Sequence, residues 1–125
     1  RSEVLVELAN MFPQSTITGC STAGEIYGKK ALDFSISVAA IKFDNSQIKV
    51  SRQTINNAAE SFSTGKNLVT ELKGKDLKGI LIVADGLLTN GGALTNGINE
   101  LIDPSMVSVF EAWLGMVNSL RKPGF

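Results

Sequence analysis

The run GILIVA at residues 79–84 is the sequence feature that most constrains the fold. An uninterrupted apolar run bounded by turn residues is typical of a β-strand that is buried on both faces of its sheet. Helical patterns precede and follow it, at about residues 58–73 and 91–102. The sequence therefore predicts an α/β fold, in which a mixed β-sheet is sandwiched by helices.

The N-terminal part of the chain predicts a helix, a strand and a loop. Apolar residues at spacings of three and four predict a helix over about residues 2–12, and Pro13 ends it. A short strand is expected at residues 15–20. Residues 21–32 show no clear periodicity and are interpreted as a loop.

Two β-rich segments predict an antiparallel hairpin. Residues 34–43 are mostly apolar, and residues 47–54 alternate between apolar and polar side chains. The turn-forming sequence Asp44-Asn45-Ser46 separates them. Three phenylalanines are expected in the core: Phe34, Phe43 and Phe62.

Asparagines are placed to begin the two later helices. Asn56 or Asn57 can cap the helix at 58–73, and Asn90 and Gly91 can begin the helix at 91–102. Such a cap accepts a hydrogen bond from a free amide of the first turn, so these residues have a structural explanation in the sequence alone.

Composition excludes several classes of function. The 125 residues include 12 Lys and Arg and 12 Asp and Glu, so no excess of positive charge favours nucleic acid. No apolar run approaches the roughly 20 residues of a membrane helix, so no membrane contact is expected. Cys20 is the only cysteine, so the chain cannot form an internal disulfide. This fits a reducing compartment. We expect a cytoplasmic protein.

Residues suited to ligand binding follow two of the predicted strands. In open α/β sheets, ligands bind where strands end and helices begin. There, small residues expose backbone amides, and a helix start near residue 91 can hold an anionic group such as an amino-acid carboxylate. The candidate ligand-binding residues are Gly19, Cys20, Ser21, Thr22, Gly24, Glu25, Asp85, Asn90 and Gly91.

Each of these candidates also has a structural interpretation. Ser21 and Thr22 can satisfy a turn instead of a ligand. Glu25 can be solvated beside neighbouring lysines, and Asp85 can cap the turn that follows its strand. As a nucleophile Cys20 would need a base, whereas as a small buried residue it needs none.

The segment GCSTAGEI at residues 19–26, preceded by Phe12-Pro13 and a short strand, resembles the signature of the FIST domain (F-box and intracellular signal transduction). Further similarity is seen at residues 33–38 and 84–91. The resemblance covers about residues 1–110, which we interpret as a partial N-terminal FIST module, and implies an incomplete domain in a truncated fragment.

The resemblance implies a sensory input domain that binds a small ligand, with amino acids among the proposed ligands. It also implies partners: a C-terminal FIST module and a signalling output domain or partner kinase. Some proteins of this type bind haem through histidine. This chain contains no histidine, so we expect no haem, no other cofactor and no metal.

Residues 111–125 depart from the family pattern, which would continue with a strand and a segment such as GLAGDG. Residues 111–117 can be encoded by the codons GAG GCT TGG CTG GGG ATG GTN, and in a shifted frame these codons would encode GLAGDG. Our hypothesis is a frameshift near Phe110, which the coding DNA would test. Residues 111–125 would then be an atypical tail, in which Trp113, Leu114 and Met116 could pack as a helix.

The sequence thus predicts a small-molecule sensor rather than an enzyme. The alternatives are a hydrolase that uses Cys20 or Ser21 and a protein-interaction module that uses the apolar region 107–117. Against the hydrolase, the chain has no histidine to act as a base and no GxSxG motif.

Overall fold

The computed structural model describes residues 2–22, 24–74, 76–103, 105, 108–114 and 117–120. Helices and strands are mixed along the chain, so the predicted α/β class is confirmed. In chain order the elements are α1 (Ser2–Met11), β1 (Ile17–Cys20), β2 (Glu25–Tyr27), β3 (Lys30–Leu32), a 3₁₀ turn (Ala58–Glu60), α2 (Ser61–Leu72), β4 (Gly79–Asp85), α3 (Gly91–Asn99), β5 (Ser108–Leu114) and β6 (Val117–Leu120).

The described strands pair two by two. β4 and β5 run parallel, with α3 as the crossover between them, which is a β-α-β unit. β1 pairs antiparallel with β6, with Ile17 opposite Leu120 and Cys20 opposite Val117. β2 and β3 form an antiparallel hairpin.

The core lies between β4 and the two helices α2 and α3. Its buried side chains are Val69, Ile80, Ile82, Leu94 and Ile98. Because strand side chains alternate between faces, Ile80 and Ile82 point to the helices while Leu81 remains 71% exposed. The prediction that this strand is buried on both faces is therefore wrong, since the helices cover only one face of it.

Two glycines allow α2 and α3 to approach each other closely. A Cβ atom on Gly65 would lie 2.3 Å from the carbonyl oxygen of Leu94, and one on Gly97 would lie 2.1 Å from that of Phe62. These distances are far below any van der Waals contact, so the backbones of the two helices touch at this crossing. An ion pair between Lys66 and Glu100 (2.7 Å) joins the helices at the surface.

An antiparallel hairpin is present, but not where the sequence predicted it. It lies at residues 25–32, within the predicted loop, and its two-residue connection uses Gly28 at a φ of +60°. Residues 34–54 contain no strand. Phe34 adopts a left-handed φ of +53°, which interrupts the extended path where the first predicted strand would begin.

The expected burial of three phenylalanines is also wrong. Phe34 is fully exposed, Phe43 is 49% exposed and Phe62 is 37% exposed. Phe34 and Phe43 lie in the segment that forms no strand, so no neighbouring strand covers them. The ring of Phe62 instead lies under the ammonium group of Lys66, 5.7 Å away.

The expectation of a helix around Trp113 and Leu114 is wrong as well, because both residues belong to β5. Met116 lies outside the described residues.

Candidate functional site

The first candidate cluster follows the end of β1. Here Thr22 donates a hydrogen bond from its hydroxyl to Oε1 of Glu25, the first residue of β2. This bond spans the turn, so both side chains have a structural role there. Gly24 lies against the end of β3, since a Cβ atom there would lie 3.3 Å from Oδ1 of Asp33.

Cys20 is half-buried at the end of β1. Burial raises the pKa of its thiol, and the negative charge of Glu25 raises the pKa further. Both effects favour the neutral thiol, whereas a nucleophilic cysteine requires a lowered pKa. The surroundings of Cys20 therefore do not activate it.

The remaining residues of this cluster lie in or beside β1. Gly19 is half-buried opposite Asn118 of β6, with open space where a side chain would project. Ser21 is half-buried immediately after the strand. The strand end thus presents small residues, as the sequence predicted.

The second candidate cluster connects β4 to α3. Asp85 is the last residue of β4, and its Oδ1 accepts a hydrogen bond from the amide of Leu87 at 2.9 Å. This is the turn-capping role that the sequence predicted for Asp85. The other carboxylate oxygen accepts no hydrogen bond from the described residues, so it is available to a ligand.

Asn90, which the sequence placed at the beginning of this helix, caps α3. Its side chain accepts a hydrogen bond from the amide of Ala93 at 3.0 Å. The helix begins with Gly91 and Gly92, whose amides donate no hydrogen bond within the described part of the chain. These two amides lie at the positive end of the helix dipole, where an anion is stabilised.

Two residues of this cluster are absent from the sequence-based candidates. Oγ1 of Thr89 is buried and has no hydrogen-bond partner among the described residues. Ser61, the first residue of α2, is fully buried and accepts a hydrogen bond from the amide of Asn90 at 2.9 Å. The sequence could have indicated Thr89, because it lies in the same strand-to-helix connection as Asp85 and Asn90. No local sequence pattern could have indicated Ser61, because it is 29 residues away from Asn90.

The candidates form two separate groups. One group lies at the end of β1, and the other connects β4 to α3. β6 links the two groups, because it pairs with β1 and also lies against β4. The connection between β4 and α3 brings together the carboxylate of Asp85, the hydroxyl of Thr89 and the helix start at Gly91.

The described residues contain no group of three or more Cys, Asp or Glu side chains arranged to hold a metal ion. Within the same part of the chain, no helix has the length and apolar character needed to cross a membrane.

A sequence model of the FIST N domain matches residues 1–110. The chain belongs to the FIST N domain family. FIST domains are sensory domains of signal transduction and are not a known enzyme family. No curated protein and no solved structure matches the chain significantly.

Membership of the FIST N domain family confirms the resemblance that the GCSTAGEI segment indicated. Both candidate clusters lie within the matched region, which ends at residue 110. The interpretation of residues 111–125 as a frameshifted tail stays a prediction.

Proposed function

We propose that this FIST N domain binds a small metabolite with a carboxylate group, such as an amino acid, at the connection between β4 and α3. The observation that carries the proposal is the buried hydroxyl of Thr89, which has no partner in the described structure. A buried polar group without a hydrogen bond destabilises a protein by about 1–3 kcal/mol. A ligand that reaches this hydroxyl when the connection moves, and bonds to it, would recover that free energy.

The start of α3 supports a carboxylate as the group that binds. The amides of Gly91 and Gly92 follow the cap residue Asn90 and have no acceptor among the described residues. Glycine at these positions leaves the main chain accessible, so a carboxylate can approach the amides closely. Since Asn90 already caps the amide of Ala93, two amides remain for the ligand.

The charge of Asp85 supports an ammonium group at the other end of the ligand. One of its oxygens is engaged in the turn, and the other is available. A ligand with both a carboxylate and an ammonium group would therefore match the two ends of this connection. The cluster of Gly19, Cys20, Ser21, Thr22, Gly24 and Glu25 is proposed as a second part of the pocket.

Sensing requires that the ligand binds two conformations with different affinity. We propose that the connection between β4 and α3 is the element that closes on the ligand. This conformational change would then be transmitted to a C-terminal FIST module and on to an output domain or a partner kinase. We propose that the whole protein is a cytoplasmic signalling protein. Membership of a family of sensory domains supports this assignment.

Replacement of Thr89 by valine tests the proposal. Valine has nearly the same shape but no hydroxyl, so Thr89→Val should stabilise the free protein, by about 1 kcal/mol, because it removes an unsatisfied buried group. The same change should weaken ligand binding by roughly tenfold. Thermal unfolding with and without each of the common amino acids measures both effects, since a ligand at 100 times its Kd adds about 2.7 kcal/mol.

The matched control is Thr70→Val, which removes an exposed hydroxyl that bonds to the carbonyl of Lys66 within α2. It should leave ligand stabilisation unchanged. The proposal fails if no amino acid stabilises the wild-type domain, or if Thr89→Val binds the ligand as well as the wild type does.

A further inference from the structure

The hydroxyl of Ser61 joins two elements that are distant in sequence. It donates a hydrogen bond to the carbonyl oxygen of Ala58 at 2.8 Å and accepts one from the amide of Asn90 at 2.9 Å. Ser61 is fully buried, so water does not compete for either bond. The first residue of α2 therefore holds Asn90, the residue that caps α3.

The two helices reinforce this connection. The close approach at Gly65 and Gly97 leaves no room for either helix to slide toward the other. An exposed ion pair between Lys66 and Glu100 connects the opposite end of α3 to α2. Because packed helices shift as units rather than deform, the position of α2 determines the position of Asn90.

We infer that Ser61 is a positioning residue: its hydroxyl holds the connection between β4 and α3 in the orientation that presents the amides of Gly91 and Gly92. Its relevance to ligand binding rests on the proposed function. The hydrogen bond uses up the amide of Asn90, so the ligand receives only the two glycine amides. It also couples any movement of this connection to α2.

The inference is tested by amide hydrogen exchange on the whole chain, with Ser61→Ala compared with wild type. Loss of the acceptor should accelerate exchange at Asn90 by about tenfold or more, with smaller increases at Ala93 and Leu94. Exchange at Val69 and Ile82, in the core, reports global unfolding and should change much less. Ser61→Cys keeps a weaker acceptor of similar size and should give an intermediate rate at Asn90.

The matched control is Ser63→Ala. Its hydroxyl bonds only to the carbonyl of Glu60 and does not reach α3, so exchange at Asn90 should stay at the wild-type rate. The inference is overturned if Ser61→Ala accelerates all amides by one common factor, which would indicate a general loss of stability. It is equally overturned if exchange at Asn90 does not change. The experiment needs no ligand, so its failure is distinguishable from failure of the proposed function.

Discussion

The thiol of Cys20 illustrates how single residues constrain the function. Burial and the nearby charge of Glu25 both raise its pKa. Between the ordinary pKa and the raised one, the unfolded chain has lost the proton while the folded chain retains it. The contribution of Cys20 to stability is therefore present below this window and is lost as the pH rises through it. A hydrolase nucleophile would show the opposite shift.

We expect iodoacetamide to alkylate Cys20 more slowly in the folded protein than in urea at pH 8, because only the thiolate reacts. Glu25→Gln should accelerate the reaction of the folded protein roughly two- to fivefold, since it removes the nearby negative charge. Mass spectrometry of timed samples measures the rates. Glu7→Gln, which removes a carboxylate that does not contribute to the shift, is the control. A Glu25→Gln variant that reacts no faster would contradict the assigned cause.

Local residue roles could be predicted from the sequence, and non-local ones could not. The caps formed by Asn57 and Asn90 and the turn at Asp85 each involve groups within three residues of each other. The sequence contains that information directly. The bond from Asn90 to Ser61 and the burial of Thr89 depend on how the helices pack, so no local pattern indicates them.

At the scale of elements, the crossing of α2 and α3 depends on two glycines. Gly65→Ala should destabilise the domain by about 1–3 kcal/mol, because the new Cβ atom would meet a backbone carbonyl that cannot rotate away. Alanine's better helix propensity contributes about 0.5–1 kcal/mol in the opposite direction, so the clash dominates. Urea unfolding measures the difference.

Gly74→Ala is the control for this substitution, because no atom lies within 4 Å of a Cβ atom at that position. It should change the free energy of unfolding by much less. If Gly65→Ala stabilised the protein by the amount expected from helix propensity alone, the close crossing of the helices would be wrong.

Sequence patterns predicted the positions of α2, α3 and β4 well, because the apolar residues of these elements pack in one core. They failed at residues 34–54, which have the composition of strands. β propensity describes how well side chains fit a half-buried sheet surface, and this segment has no neighbouring strand to provide one. Instead, Ser51 and Gln53 donate hydrogen bonds to the carboxylate of Glu71 on α2. The β2–β3 hairpin was missed because three-residue strands are too short to show an alternation.

At the scale of the whole molecule, the described chain exposes many apolar side chains in one stretch of sequence. They are Phe34, Ile36, Val38, Ile41, Phe43, Ile48 and Val50. With a formal net charge of zero, little electrostatic repulsion keeps two copies apart. Exposed apolar surface of this kind promotes association.

We therefore expect the protein to self-associate at micromolar concentrations, and the double variant Phe34→Ser, Ile41→Ser to associate less. Both side chains are exposed, so the substitutions should change stability by only about 0.5 kcal/mol or less. Sedimentation velocity over a concentration series measures the effect. The control is Val6→Ser, Met11→Ser, which removes two exposed apolar side chains from α1. Equal loss of association in both variants would contradict a role for residues 34–50.

The pairing of β1 with β6 has a consequence for the order in which the molecule assembles. Ile17 meets Leu120 across almost the whole length of the chain, whereas α2 and α3 meet across a short intervening segment. Closing a long loop costs more conformational entropy and slows folding. We therefore expect the helical pair to form early and β1 to join late. The strand that leads into the family signature would then be the last to form and the first to open.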